Sequence, residues 1–260
     1  MKHSLPITFL LCLQSVISFA QEIQQAHIGV EAGLIVYEGE VSQTDKIRKS
    51  LATNNTYNYS EGTYSLNTLS HYTFFGTYAE QVFASNKFGV LAGFRFMRVQ
   101  NSIQYNSAWT NQTYFYYLYK QDSLRTDYLK VKTIKQQTDY ISIPIELKYY
   151  WFRRPYRVSP YVIVGTEIRY RMKSKTSLQM YEKSMNIFED ELLEDVSIPR
   201  NMQMTLHGGI GIKLGKEGKP TLHAEANVPF LFLPKKSYGI INPDVAGGIR
   251  ISAQFPLNNN

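Results

Sequence analysis

Beyond residue 20 the chain alternates apolar and polar positions in segment after segment, the period-two signature of a strand with two unlike faces. The clearest case is 202–214. Met202, Met204, Leu206, Gly208, Ile210, Ile212 and Leu214 fall on one side, and Gln203, Thr205, His207, Gly209, Gly211 and Lys213 on the other. In 138–152, Ile141, Ile143, Ile145, Leu147, Tyr149 and Trp151 oppose Ser142, Pro144, Glu146 and Lys148. In 220–232, Leu222, Ala224, Ala226, Val228, Phe230 and Phe232 oppose His223, Glu225, Asn227 and Pro229. The pattern predicts eight strands, at 27–37, 73–84, 88–102, 138–152, 160–172, 202–214, 220–232 and 244–255. At about 10 to 14 residues each they exceed ordinary sandwich strands.

The connections alternate too. Those at 85–87, 153–159 and 215–219 are short, those at 38–72, 103–137 and 173–201 are long, and 233–243 is intermediate. An even strand number with short turns on one rim and long loops on the other predicts an all-β, eight-stranded antiparallel up-and-down transmembrane β-barrel, with turns and both termini in the periplasm and loops outside.

Alternation alone does not orient a barrel, because a soluble ligand-binding barrel keeps its apolar face inside. The polar face decides. It carries Glu31, Glu80, Arg95, Glu146, Lys148, Glu167, Arg169, Arg171, Lys213, Glu225 and Arg250, interleaved with Gly29, Gly33, Gly76, Gly93, Gly165, Gly209, Gly211 and Gly248. Glycine weakens a strand, so a solvent-facing surface has no use for so many, whereas a narrow lumen filled by long side chains needs small residues beside them. Six basic and five acidic groups on that face suit a dry interior, where buried charges must be paired. The other face, with Phe88, Val90, Ala92, Phe94, Phe96, Val162, Val164, Ile168, Val245, Ile249, Ile251 and Phe255, is compatible with lipid, and aromatics gather near strand ends.

Composition sharpens this picture. The mean hydropathy of −0.29 and the lack of any apolar run of about 18 residues past residue 20 exclude a helical membrane protein. Lys2, an apolar core from Ile7 to Val16 and Ser18-Phe19-Ala20 predict a signal peptide over 1–20, cleaved after Ala20, leaving the barrel domain at 21–260. Cys12, the single cysteine, lies inside that leader, so the mature chain has no disulfide, thiol nucleophile or cysteine metal site. Loss of Lys2 takes the formal charge from +7 to +6. The basic residues are scattered, which argues against nucleic acid.

The segment Asp139-Tyr140-Ile141-Ser142-Ile143-Pro144-Ile145-Glu146-Leu147-Lys148-Tyr149-Tyr150, followed by Pro160-Tyr161-Val162-Ile163-Val164-Gly165, resembles the aromatic-x-x-Ile-Pro-Leu-x-x-Lys-Tyr and Pro-Tyr-x-x-x-Gly strands of the Bacteroidota outer-membrane β-barrel family, in its PorT-like members. The resemblance implies a single-domain barrel in the outer membrane of a Gram-negative bacterium, no shared catalytic residues, no cofactor, and an accessory role in protein secretion. The chain departs from the family in running on through Pro256-Leu257-Asn258-Asn259-Asn260 past the terminal aromatic.

The residues singled out are a lumen polar network of Glu31, Arg95, Glu146, Lys148, Glu167, Arg169, His207, His223, Glu225 and Arg250, with no catalytic and no metal-ligating residue assigned. His207, His223 and Glu225 also admit a metal or acid/base site, but Arg and Lys crowd the same face and favour a buried network. His71 beside Ser70 is the one hint of a lipid-modifying enzyme, and it lacks an evident acidic partner. Loop 38–72 is rich in Asn, Tyr, Ser and Thr, and loop 103–137 holds Tyr105, Trp109, Tyr114, Phe115, Tyr116, Tyr117 and Tyr119, a composition suited to contacts with proteins or sugars. Loop 173–201 sets Glu182, Glu189, Asp190, Glu191, Glu194 and Asp195 around Ile187, Phe188, Leu192 and Leu193, which predicts a short amphipathic helix. The expected partners are outer-membrane lipid and, through these three loops, envelope or secretion proteins. The leading reading is a non-enzymatic structural or interaction component. The alternatives are a lipid-modifying outer-membrane enzyme and a soluble periplasmic ligand-binding barrel.

Overall fold

The computed structural model describes residues 25–48, 66–83, 87–105, 113–152, 157–216, 218–234 and 238–257. The leader and cleavage site expected over 1–20, and Trp109, lie outside them.

Eight strands form the barrel wall: β1 (Gln25–Val41), β3 (Asn67–Phe83), β4 (Phe88–Gln104), β6 (Thr126–Tyr150), β7 (Val158–Met180), β8 (Met202–Leu214), β9 (Thr221–Leu233) and β10 (Ile241–Leu257). Two shorter strands, β2 (Ile47–Arg48) and β5 (Phe115–Gln121), extend the sheet beyond the wall on the edge of β6. Each wall strand pairs antiparallel with its sequence neighbours. β1 returns to β10 from Ala26↔Leu257 to Val41↔Ile241, and the ring closes without a free edge.

Every wall strand shows the expected two faces. Val90, Ile143, Ile210, Ile249 and Ile251 point outward and are exposed, while Glu31, Arg95, Glu146, Lys148 and Arg250 point inward and are buried. Phe94, 65% exposed against Arg95 at 5%, shows the sidedness within one dipeptide. A water-soluble sheet would have the reverse arrangement, so the apolar face is made for lipid. At the short-turn rim Phe83, Phe88 and Tyr149 form a row of rings with centroids 5.8 and 5.1 Å apart, and Trp151 and Phe152 stand exposed beyond them.

The glycines sit where inward side chains need room. A Cβ on Gly165 would lie 2.7 Å from Cγ of Glu146, and one on Gly76 2.9 Å from Cγ of Arg95. Others make way for rings: Gly29 faces Tyr78, and Gly211 faces Tyr161.

The wall strands differ from the sequence expectation mainly at the outer rim. β6 begins at Thr126 and not near 138, and β7 runs to Met180 and not 172. Half of the predicted loop 103–137 is therefore a β5–β6 hairpin, turned at Asp122, which accepts hydrogen bonds from the backbone N–H groups of Leu124 (2.8 Å) and Arg125 (2.7 Å). After β7 come a 3-10 turn (Lys183–Phe188) and the helix α1 (Glu189–Asp195). Three acidic residues in the first turn of α1 suit the positive end of the helix dipole. Phe188, Leu192 and Val196, spaced by four, give it one apolar side.

Candidate functional site: the filled lumen and its outer cap

The lumen is crossed by ion pairs. Arg250 on β10 grips Glu146 on β6 with Nη1 and Nη2, 2.6 Å to each carboxylate oxygen, and its Nε donates to Glu225. Arg95 on β4 donates to Oε2 of Glu31 (3.0 Å), Oε1 of Glu146 (2.9 Å) and Oε1 of Glu167 (3.2 Å). Arg169 donates to Oε2 of Glu167 through Nε (3.0 Å) and Nη2 (2.7 Å), and Ser142 donates to the other oxygen of that carboxylate at 2.9 Å. His207 Nε2 lies 3.2 Å from Glu146.

Toward the short-turn end, Lys148 Nζ lies between Glu80 (3.3 Å) and Glu225 (3.4 Å). Glu80 also accepts from Tyr150 (3.0 Å) and Gln254 (2.8 Å), and Glu225 from Tyr161 (2.6 Å). His223 touches Tyr161 and Gln254 at 3.0 and 3.1 Å. The structure thus brings all ten residues of the sequence-derived network into connected contacts. Charges removed from water this completely are tolerable only because each is paired, Arg95, Arg250, Glu31, Glu146, Glu167 and Glu225 with more than one opposite charge.

The two histidines do not converge. The β8–β9 hairpin sets His207 opposite Pro229 and His223 opposite Lys213. His207 therefore serves the Glu146 cluster and His223 the Tyr161 cluster. Among the described residues no group of three or more His, Cys, Asp or Glu is placed to hold a metal ion. Ser70 and His71 are successive residues of β3 and face opposite sides, Ser70 buried inside and His71 half-buried outside, so they cannot act as a hydrogen-bonded pair.

The sequence reading missed the aromatic share of the interior. Tyr37, Tyr72, Phe74, Tyr140 and Tyr238 are buried above the ion pairs, and Arg169 and Arg95 stack on Tyr72 and Phe74 at 4.6 and 4.8 Å. A signal was present: Tyr72, Phe74 and Tyr78 share the parity of Glu80, Tyr37 that of Glu31, and Tyr140 and Tyr150 that of Glu146.

This aromatic layer continues into a cap. Leu192 and Val196, with Phe115 and Tyr117 of β5, belong to the same apolar cluster as Ile35, Tyr72 and Met97 inside the wall. Polar ties hold the cap down. Lys46 Nζ meets Asp195 at 3.0 Å, and Gln43 donates to the Asp195 carbonyl (2.8 Å) and accepts from the Ser197 N–H (3.0 Å). Tyr119 donates to Glu191 and packs on Phe188 with ring centroids 5.0 Å apart. Burial, then the nearby Asp195 and Asp45, pushes the Tyr117 phenol up. The hydrogen bond to Glu191, then desolvation, does the same to Tyr119. Among the described residues the lumen is thus filled at mid-height and covered above.

A family model described as an outer membrane protein beta-barrel domain matches residues 19–231. No curated protein matches the chain. Among solved structures, the outer membrane protein OprG from Pseudomonas aeruginosa is similar at 11% identity and a TM-score of 0.46, over 90% of this chain and 97% of that one. Neisserial surface protein A is similar at 10% identity and a TM-score of 0.39, over 88% and 96%.

Proposed function

The chain belongs to the outer membrane protein β-barrel domain family, which makes the outer membrane its location, and on that premise we propose that it is a non-enzymatic structural or docking component, accessory to protein secretion as in the PorT-like branch. The observation that carries this reading is the closed interior. Among the described residues, ion pairs such as Arg250 to Glu146 cross the lumen and the cap on Leu192 packs above them, so what the barrel offers its surroundings is its lipid belt and its outer rim. Its partners are outer-membrane lipid and envelope or secretion proteins that meet loops 38–72, 103–137 and 173–201. The leader is removed after Ala20, a point that mass spectrometry of the mature N-terminus decides.

The test is affinity capture of the tagged full-length protein from outer membranes in mild detergent, alongside planar-bilayer recording. Capture of a stoichiometric set of envelope proteins, lost when the 103–137 or 173–201 loop is shortened, supports the reading. A nanosiemens conductance, or a lipid-modifying activity in the purified protein that His71→Ala abolishes, overturns it.

A further inference from the structure

The outer wall of β4, β6 and β7 changes character abruptly. Outward positions are apolar from Phe88 to Phe96 on β4 and from Tyr149 back to Ile141 on β6, nine residues each, which matches the roughly 9–11 residues of a tilted membrane-spanning strand. The next outward residues are charged. Arg98, Asp139 and Lys173 lie side by side across the three strands, with Gln100, Gln137 and Lys175 in the row above and Ser102, Lys135 and Ser177 above that. Arg98 is held by Asp139 at 2.8 Å. Lys135, Lys173 and Lys175 are exposed and meet no acidic group among the described residues.

Alternate residues of a strand lie roughly 7 Å apart and adjacent strands roughly 4.8 Å, so the three lysines occupy neighbouring positions on two adjacent strands, within reach of one lipid headgroup. The wall on the other side of the barrel has the opposite sign at the same rim: Glu38 and Glu40 on β1 and Asp244 on β10. Among the described residues these two stretches of the rim therefore differ in the sign of their net charge.

We propose that Lys135, Lys173 and Lys175 form a binding site for the phosphorylated headgroups of outer-leaflet lipid. The inference rests on the outer-membrane location and the loops-outward orientation, and does not depend on the secretion role. A ladder of lysines that starts at Lys173 immediately above the apolar belt and climbs through Lys175 to Lys135 begins at the depth of lipid phosphates, whereas a soluble anion would have no reason to be met at that depth. Acyl chains on Phe96, Ile141 and Tyr170 below and ammonium groups above give one lipid both of its contacts.

The experiment uses the full-length protein reconstituted into nanodiscs of phosphatidylcholine doped with a bis-phosphorylated lipid A, and reads retained lipid by native mass spectrometry. Wild type retains the phosphorylated lipid over its dephosphorylated form, and the triple variant Lys135→Gln, Lys173→Gln, Lys175→Gln loses retention on the order of tenfold or more. The variant Glu38→Gln, Glu40→Gln retains as wild type does. Heat-modifiable gel mobility of each variant shows that its barrel is intact, so loss of retention is not loss of fold. Equal retention by the triple variant overturns the site, and so does full displacement of the lipid by millimolar inorganic phosphate, which would make it a site for the free ion. Failure of wild type to enter the nanodiscs at all would overturn the membrane reading itself, a separate outcome.

Discussion

Arg250 and Glu146 reach each other across the full width of the barrel. Their strands, β10 and β6, are four places apart in a ring of eight, and the two nitrogens meet the two oxygens at 2.6 Å each. The pair is a crossbar that fixes the separation of opposite walls. Removing one end leaves the other charge buried and under-compensated, so Arg250→Met is expected to cost roughly 3–5 kcal/mol, read from urea unfolding in lipid vesicles. The double variant Arg250→Met, Glu146→Gln should lose clearly less than the sum of the two single losses. Additive losses would show that the crossbar is not a coupled unit.

Adjacent glycines should behave in opposite ways. A Cβ on Gly209 would stand 2.4 Å from the Ala226 carbonyl oxygen, a backbone atom, and 2.8 Å from Oδ1 of Asn227, whereas on Gly208 the nearest neighbour is 3.6 Å away. Gly209→Ala is expected to impair barrel assembly and Gly208→Ala to be tolerated, judged by the fraction of each variant that shows heat-modifiable mobility. Comparable yields from both would contradict the inward placement of Gly209.

The cap should come loose without taking the barrel with it. Leu192 is 1% exposed, and its truncation to Ala removes about 2–3 kcal/mol of burial from a segment joined to the wall by few contacts. Hydrogen exchange across 183–196 should accelerate at least tenfold while the unfolding midpoint of the barrel stays put. Unchanged exchange would mean that Leu192 does not anchor the cap.

Alkali should loosen the same junction. Tyr117 and Tyr119 both titrate above the ordinary phenol in the folded state. A group with a raised folded value contributes stability that is complete below its unfolded pKa of about 10 and vanishes as pH rises through the folded value. Protection over 183–196, taken relative to the base-catalysed intrinsic exchange rate at each pH, should therefore be flat from neutrality to about pH 10 and fall beyond it, with the fall reduced in Tyr119→Phe. A fall in protection that begins near about pH 8 would point to other groups.

The wall was readable in the sequence because lipid outside and ion pairs inside impose contrasting chemistry on alternate residues. Ile141 against Ser142 and Ile249 against Arg250 admit one reading. Beyond the membrane that contrast disappears, and the chain became opaque there. On the outer half of β6, Lys135 and Gln137 face water while Ile134 and Gln136 face in, and extra residues at Lys132 on β6 and Met172 on β7 disturb the period of each strand. The interior charges were found from their type, but the tyrosines beside them were not, since a phenol suits lumen, girdle and loop equally well. The cap helix announced itself by spacing, although nothing in the sequence said that it folds down over the lumen.

The seam between β1 and β10 couples the two ends of the chain. Sixteen positions from Ala26 to Val41 have their partners among the last residues of the final strand, down to Leu257. The first strand thus waits for the last, and until Ile241–Leu257 arrives both borders of the growing sheet carry unpaired amides and carbonyls that hydrocarbon will not solvate. The polypeptide can neither seal nor bury its crossbars piecemeal as it emerges. It must be delivered whole and kept from pairing with other chains, so its vulnerability to misassociation is concentrated in the interval before that single closing contact forms.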